Sequence, residues 1–214
     1  MNAMSIEELQ RDSLIYLQKQ SAFCDNILFF DYRFEKDSGH VPQIETAKEY
    51  VKNWDAMQNH NIGLLFWGKP GNGKTFAAAC IANQLCENGF YVRMTTLGDY
   101  LTRFSAMSLN EKEQYFHSIT QCDLLIIDDL GMERHTDYAQ EQIFQVINKR
   151  YLAGKPLILT TNLNISQLKT PVDMQDERIF DRVLEMCVPV CFKGESLRKA
   201  KAGEKMRLIK DIIK

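Results

Sequence analysis

Leu64-Leu65-Phe66-Trp67-Gly68-Lys69-Pro70-Gly71-Asn72-Gly73-Lys74-Thr75 sets a short apolar strand directly against the spacing G-x-x-x-x-G-K-[ST]. Gly68, Gly71 and Gly73 let a loop turn with φ > 0 and bring its N–H groups against phosphate oxygens that a Cβ would hold away. Lys74 then reaches the β- and γ-phosphates, and Thr75 offers its hydroxyl to Mg²⁺. The helix opening there turns the positive end of its dipole toward the anion. Asn72 and Phe76, inside and just after the loop, are counted with the cofactor-binding residues. Phe76-Ala77-Ala78-Ala79-Cys80-Ile81-Ala82-Asn83-Gln84-Leu85 is rich in strong helix formers, and Asn88-Gly89 ends that helix with a C′ glycine. The stretch predicts a grip on a nucleoside triphosphate.

Outward from this loop the pattern alternates strand and helix. Strands are predicted at Gly63–Trp67, Tyr91–Met94, Leu124–Ile127, Leu157–Thr160 and Val188–Phe192. Helices are predicted over 74–87, 97–104, 111–118, 138–152, 166–168 and 178–185. Continuous apolar strands between helices indicate a five-stranded parallel sheet sandwiched between helices, with ligand chemistry at the carboxyl ends of the strands. Toward the amino terminus, Ser5-Ile6-Glu7-Glu8 reads as a capping box that opens a helix running toward Gln20, an appendage. Residues 21 to 43 are irregular and hold Phe23, Phe29, Phe30, Tyr32 and Phe34, which either wrap the core or edge the base of a nucleotide. A helix from Ile44 to about Met57 follows. The organisation predicted is an amino-terminal helix and irregular arm over 1–43, a nucleotide-binding domain over 44–198 and a basic tail over 199–214.

The second half of a phosphate site lies further along. Leu124-Leu125-Ile126-Ile127-Asp128-Asp129-Leu130-Gly131 is an apolar strand that delivers two carboxylates to the phosphate end of the sheet. Asp128 suits Mg²⁺, and Asp129 suits the general base that polarises an attacking water. Leu157-Ile158-Leu159-Thr160-Thr161-Asn162 repeats that logic; Asn162 either senses the γ-phosphate and orients the water or starts a turn. Arg178 and Arg182 stand four residues apart on one helix face. They serve either a phosphoryl-transfer site of a neighbouring subunit, with Arg182 first and Arg178 second, or ion pairs with Asp176, Asp181 or Glu185.

At 214 residues the chain is long enough for one well-buried core and short for two. Hydrophobic residues at 45% and charged ones at 25% exclude a disordered chain. A net charge of -2 gives no global nucleic-acid signature. From Lys193 to Lys214, however, eight Lys/Arg face three Asp/Glu, a local surplus that either follows phosphates or solvates a helical face. Tyr100 and Phe104, four apart between the second and third strands, either stack on bases or pack in the core. The six cysteines, Cys24, Cys80, Cys86, Cys122, Cys187 and Cys191, lack paired metal spacing and read as small buried hydrophobes in a reducing cytosol. No apolar run approaches the ~18 residues of a membrane span, so the expectation is a cytoplasmic protein without a membrane partner.

These elements, in this order across about residues 60 to 198, resemble the AAA+ ATPases of the DnaC/DnaI helicase-loader and IstB group, a P-loop NTPase family. Gly68 to Thr75 resembles its Walker A motif, Leu125 to Gly131 its Walker B motif, and Thr160-Thr161-Asn162-Leu163 its sensor 1. More particular to the group are Glu141 to Tyr151, the Glu177-Arg178-x-x-Asp181-Arg182 box with its arginine finger, and Gly194-Glu195-Ser196-Leu197-Arg198. The last resembles a reduced sensor 2 and makes Arg198 a phosphate contact. The resemblance implies hydrolysis of ATP with Mg²⁺, self-association through a trans arginine, assembly on single-stranded DNA and delivery of a DnaB-type replicative helicase. Asp129 departs from the Glu that many AAA+ proteins carry, and because the shorter acid holds the water less closely the expectation is slow, switch-like hydrolysis. The zinc-type cysteine cluster and most of the amino-terminal helicase-binding region of many loaders are lacking, so either the sequence is a piece of a longer protein or helicase docking is handled differently. Two other activities fit the same residues: an IstB-like transposition helper, and a non-hydrolysing ATP-gated DNA-binding adaptor.

Overall fold

Placed in a sheet, the continuous apolar runs divide into two faces. The computed structural model describes residues 6–23, 26–37, 41, 43–131, 136–170, 174–194 and 196–213. Five strands, β1 (Gly63–Trp67), β2 (Val92–Thr96), β3 (Leu124–Leu130), β4 (Leu157–Thr161) and β5 (Cys187–Cys191), form one sheet in the order β2-β3-β4-β1-β5, with every pairing parallel. Because side chains alternate along a strand, Leu64, Phe66, Leu124, Ile126 and Ile158 enter one core while Leu65, Leu125, Ile127, Leu157 and Leu159 enter the other. The first core is covered by α2 (Ile44–Lys52), α3 (Trp54–Asn59) and α4 (Lys74–Glu87). The second is covered by α5 (Leu97–Ala106), α6 (Leu109–Gln121), α7 (Asp137–Ala153), α8 (Ile165–Lys169) and α9 (Met174–Met186). The fold is the five-stranded parallel sheet sandwiched between helices that the sequence led one to expect.

Helix α1 (Ile6–Ala22) is docked on this body. Lys19 Nζ lies 2.6 Å from Glu87 Oε1 at the end of α4, Arg33 Nη2 lies 2.9 Å from the same oxygen, and Arg93 of β2 donates to the Ser21 carbonyl. Phe23 is buried, and Phe29, Phe30, Tyr32 and Phe34 pack against the first core. A ladder of rings runs Phe23, Phe29, Tyr32 and Phe76, with successive centroids 5.3–5.9 Å apart. Asn83 of α4 pins the arm by donating to the carbonyls of Phe29 and Tyr32. Of the two readings of these aromatics, wrapping the core is the one observed.

The helix expected from Ile44 to about Met57 breaks at Asn53, whose Nδ2 donates to the Glu49 carbonyl at 2.8 Å and competes with the backbone ladder. Strand β3 outruns its apolar residues and carries Asp128 and Asp129 inside the sheet, with a register shift against β4 between Ile127 and Leu130. Tyr100 is 2% exposed and stacks on Phe104 and Tyr115, so it serves the second core and not a base. Burial pushes the Cys80 and Cys86 thiols up to about 12, which keeps both inert, and Cys122 and Cys187 are raised by the same cause. Cys24, Ser5 and Glu195 lie outside the described residues. The basic tail forms α10 (Leu197–Ile212), with Met206, Ile209 and Ile212 exposed. No helix among the described residues is long and apolar enough to cross a membrane.

Candidate functional site

The loop between β1 and α4 is shaped by two close approaches. Gly71 has φ 86°, and a Cβ there would run into the Ser196 hydroxyl; Gly73 has φ 93°, and a Cβ there would lie 2.8 Å from Val41 Cγ2. Any L side chain at either position would strain the backbone and displace a neighbour. The Leu197 amide at the start of α10 donates to the Gly71 carbonyl at 2.9 Å, so the tail helix begins against the loop. Asn72 is 5% exposed; its Nδ2 donates to the Phe192 carbonyl at 3.1 Å, while its Oδ1 is buried with no partner among the described residues.

Lys74, the first residue of α4, donates to the carbonyls of Gly68 at 2.8 Å and Lys69 at 3.0 Å and to Asn162 Oδ1 at 2.8 Å. All three acceptors are neutral, so an anionic phosphate oxygen is a stronger partner for the ammonium than any it has. Burial pulls the lysine pKa down, the charges of Asp129 and Asp128 push it back up, and the Arg198 guanidinium pulls it down again. Four residues drawn from distant sequence, Asn162, Asp129, Asp128 and Arg198, therefore act on one ammonium.

Asp128 is 4% exposed at the end of β3. It accepts from Thr75 Oγ1, 3.0 Å from both carboxylate oxygens, and from Thr160 Oγ1 at 2.6 Å. The Thr160 hydroxyl in turn accepts from the Asp129 amide at 2.9 Å, and this helps hold Asp129 at φ 57°, a left-handed conformation that Asp tolerates better than most residues. Burial raises the Asp128 pKa; the Thr160 hydrogen bond opposes that shift without cancelling it. A carboxylate disfavoured by desolvation and set against a hydroxyl fits a hard divalent cation, whose charge would restore the ionised form. Thr75 and Asp128 are the residues that could hold it.

The raised pKa has a consequence for stability. Because the folded protein binds this proton more tightly than the unfolded chain, the contribution of Asp128 is present at low pH and lost as pH rises through its folded pKa. Asp128→Asn is therefore expected to raise the melting temperature of the nucleotide-free protein at pH 8 in chelator, with the gap over wild type narrowing as pH falls. A gap that does not change with pH would contradict this assignment.

The structure thus brings together the loop from Gly68 to Thr75, Asp128 and Asn162, with the charges of Asp129 and, more weakly, Arg198 acting on Lys74. Phe76 sits beneath it against the Tyr32 ring, 5.3 Å between centroids. Arg182 is engaged elsewhere, on α9 against Phe144 and Tyr151 of α7. Thr160 escaped the sequence reading as the residue that ties the two acids together; its signal was a hydroxyl ending an apolar strand. Val41, which covers Gly73, carried no signal.

The chain is similar to known proteins in sequence and in fold. The family described as IstB-like ATP binding protein matches residues 10–205. The chain is 30% identical over 184 residues to the protein named replicative helicase loader DnaC of Escherichia coli (strain K12), covering 84% of this chain and 72% of that protein. Among solved structures, that of DnaI is similar with a TM-score of 0.66 at 22% identity, covering 87% of this chain and 98% of the other. The structure of the DnaC helicase loader is similar with a TM-score of 0.60 at 27% identity, covering 69% and 86%.

Proposed function

The chain belongs to the IstB-like ATP-binding protein family, and on that premise we propose that it is an ATP-hydrolysing helicase loader acting in the cytoplasm. In this reading residues 44–198 are the ATPase domain, 1–43 an arm and 199–214 a basic tail. The observation that carries it is the convergence of Lys74, Thr75, Asp128 and Asn162 at the carboxyl ends of β1, β3 and β4, in a chain 30% identical to a helicase loader. Lys74, Arg198 and the loop amides hold the triphosphate. Thr75 and Asp128 hold Mg²⁺, which when bound neutralises phosphate charge. Asp129 takes the proton of the attacking water, and Asn162, already bonded to Lys74, exchanges that partner for the γ-phosphate or the water. Arg182 serves the site of a second copy, so that hydrolysis is tied to assembly on single-stranded DNA and to release of a DnaB-type helicase.

Phosphate release with single-stranded DNA present tests the chemistry. Asp129→Asn is expected to lower kcat by about 100-fold or more with ATP binding retained; an unchanged rate would remove Asp129 from the role of base. ATP and DNA binding with no turnover in wild type would make the chain an adaptor. Affinity capture from its own cells decides the partner: recovery of a replicative helicase supports a loader, and recovery of a transposase without helicase supports a transposition helper.

A further inference from the structure

Phe144 of α7 faces two guanidinium groups at once. Cζ of Arg178 lies 4.8 Å from its ring centroid and Cζ of Arg182 lies 5.0 Å from it. Arg182 also stands 5.8 Å from the Tyr151 centroid and donates through Nη1 to the Arg178 carbonyl at 3.0 Å. Phe144 and Tyr151 are seven apart, two turns of α7 on one side, and Arg178 and Arg182 four apart on α9, so the packing of α7 on α9 aligns the two pairs. Glu185, three residues beyond Arg182, accepts from the Tyr151 hydroxyl at 3.0 Å. An aromatic face orders a guanidinium without cancelling its charge.

We propose that Phe144, assisted by Tyr151, is a positioning residue that pre-orders Arg178 and Arg182 as a pair for the triphosphate held by a second copy of this chain. The proposal rests on the reading of Arg182 as a trans arginine. Phe144 and Tyr151 also pack against the second core, and the two guanidinium groups over the Phe144 ring are what distinguishes it from a purely packing residue. Its consequence is directional: Phe144 matters in the copy that donates the arginines and not in the copy that holds the ATP.

Mixed assemblies read that direction. Lys74→Ala copies keep the arginines but lose the ATP site, and Arg182→Ala copies keep the site but lose the finger; mixed, they are expected to regain ATP hydrolysis that neither shows alone. Adding Phe144→Leu to the Lys74→Ala donor is expected to lower the regained kcat about five- to tenfold with KM for ATP unchanged. Phe144→Tyr in the donor restores it, and Phe144→Leu in the Arg182→Ala acceptor changes nothing. Equal losses in both placements, or no loss in the donor, would overturn the proposal for Phe144 while leaving the trans arginine intact. A mixture of folded Lys74→Ala and Arg182→Ala copies that regains no activity would overturn both. Should Phe144→Leu not fold, Phe144→Met gives the same comparison.

Discussion

Lys74→Ala is expected to weaken ATP binding by about 100-fold or more, with the nucleotide-free fold retained. The ammonium is buried at the start of α4 and holds only neutral oxygens, those of Gly68, Lys69 and Asn162. Those acceptors can turn to water when it is removed, whereas a triphosphate loses a charge-assisted partner and faces the carboxylates of Asp128 and Asp129 without compensation. Hydrogen bonds to charged groups contribute about 1.5–3 kcal/mol, and adding the lost attraction gives roughly 3 kcal/mol for binding. Titration calorimetry measures it directly, and loss of the ATP-induced rise in melting temperature is the matching stability result. Affinity within a few fold of wild type would mean that the loop holds its ligand some other way.

The largest effect on stability is expected at Arg150, far from the nucleotide. Its side chain on α7 has no exposed surface, and burial pulls its pKa down. It donates to the carbonyls of Thr120 at 3.2 Å, Cys122 at 2.5 Å and Asp123 at 3.2 Å, and to that of Pro156. One guanidinium thus closes the end of α6, the entry to β3 and the entry to β4. Arg150→Met fills comparable volume but leaves those carbonyls without donors, at a cost of about 3–5 kcal/mol. A domain of this size should then melt roughly 10 °C lower. Thermal unfolding followed by circular dichroism checks it, and a change of only a degree or two would show that the carbonyls find other partners.

What the sequence disclosed and what it hid divide along a physical line. The loop from Gly68 to Thr75 was legible because its chemistry is local: glycines, lysine and threonine act through backbone atoms a few residues away, and α4 begins at Lys74 and ends at Glu87 as propensity and the Asn88-Gly89 stop require. The central strands β1, β3 and β4 were legible because each is a continuous apolar run buried on two faces, whereas the edge strands β2, which carries Arg93, and β5, which exposes Val188, begin one residue away from where the sequence put them. The link between Asp128 and Asp129 was hidden, because it passes through Thr160 and depends on how β3 and β4 align across a register shift. Arg150 was hidden for a related reason. In the sequence it is one more cation near a helix end, and only the meeting of three distant segments makes it a buried donor. Phe144 and Tyr151 stood in a segment recognisable for the family, yet their grip on Arg178 and Arg182 exists only where α7 packs on α9.

The most direct test of a nucleotide-switched loader is retention of the replicative helicase from the same cells on circular single-stranded DNA, measured after gel filtration with and without this chain. With ATP and Mg²⁺ the wild-type chain is expected to raise the helicase recovered with the circle several-fold, and Lys74→Ala is expected to leave it at background. Helicase recovery that is the same with wild type, with Lys74→Ala and with no added chain would contradict the account.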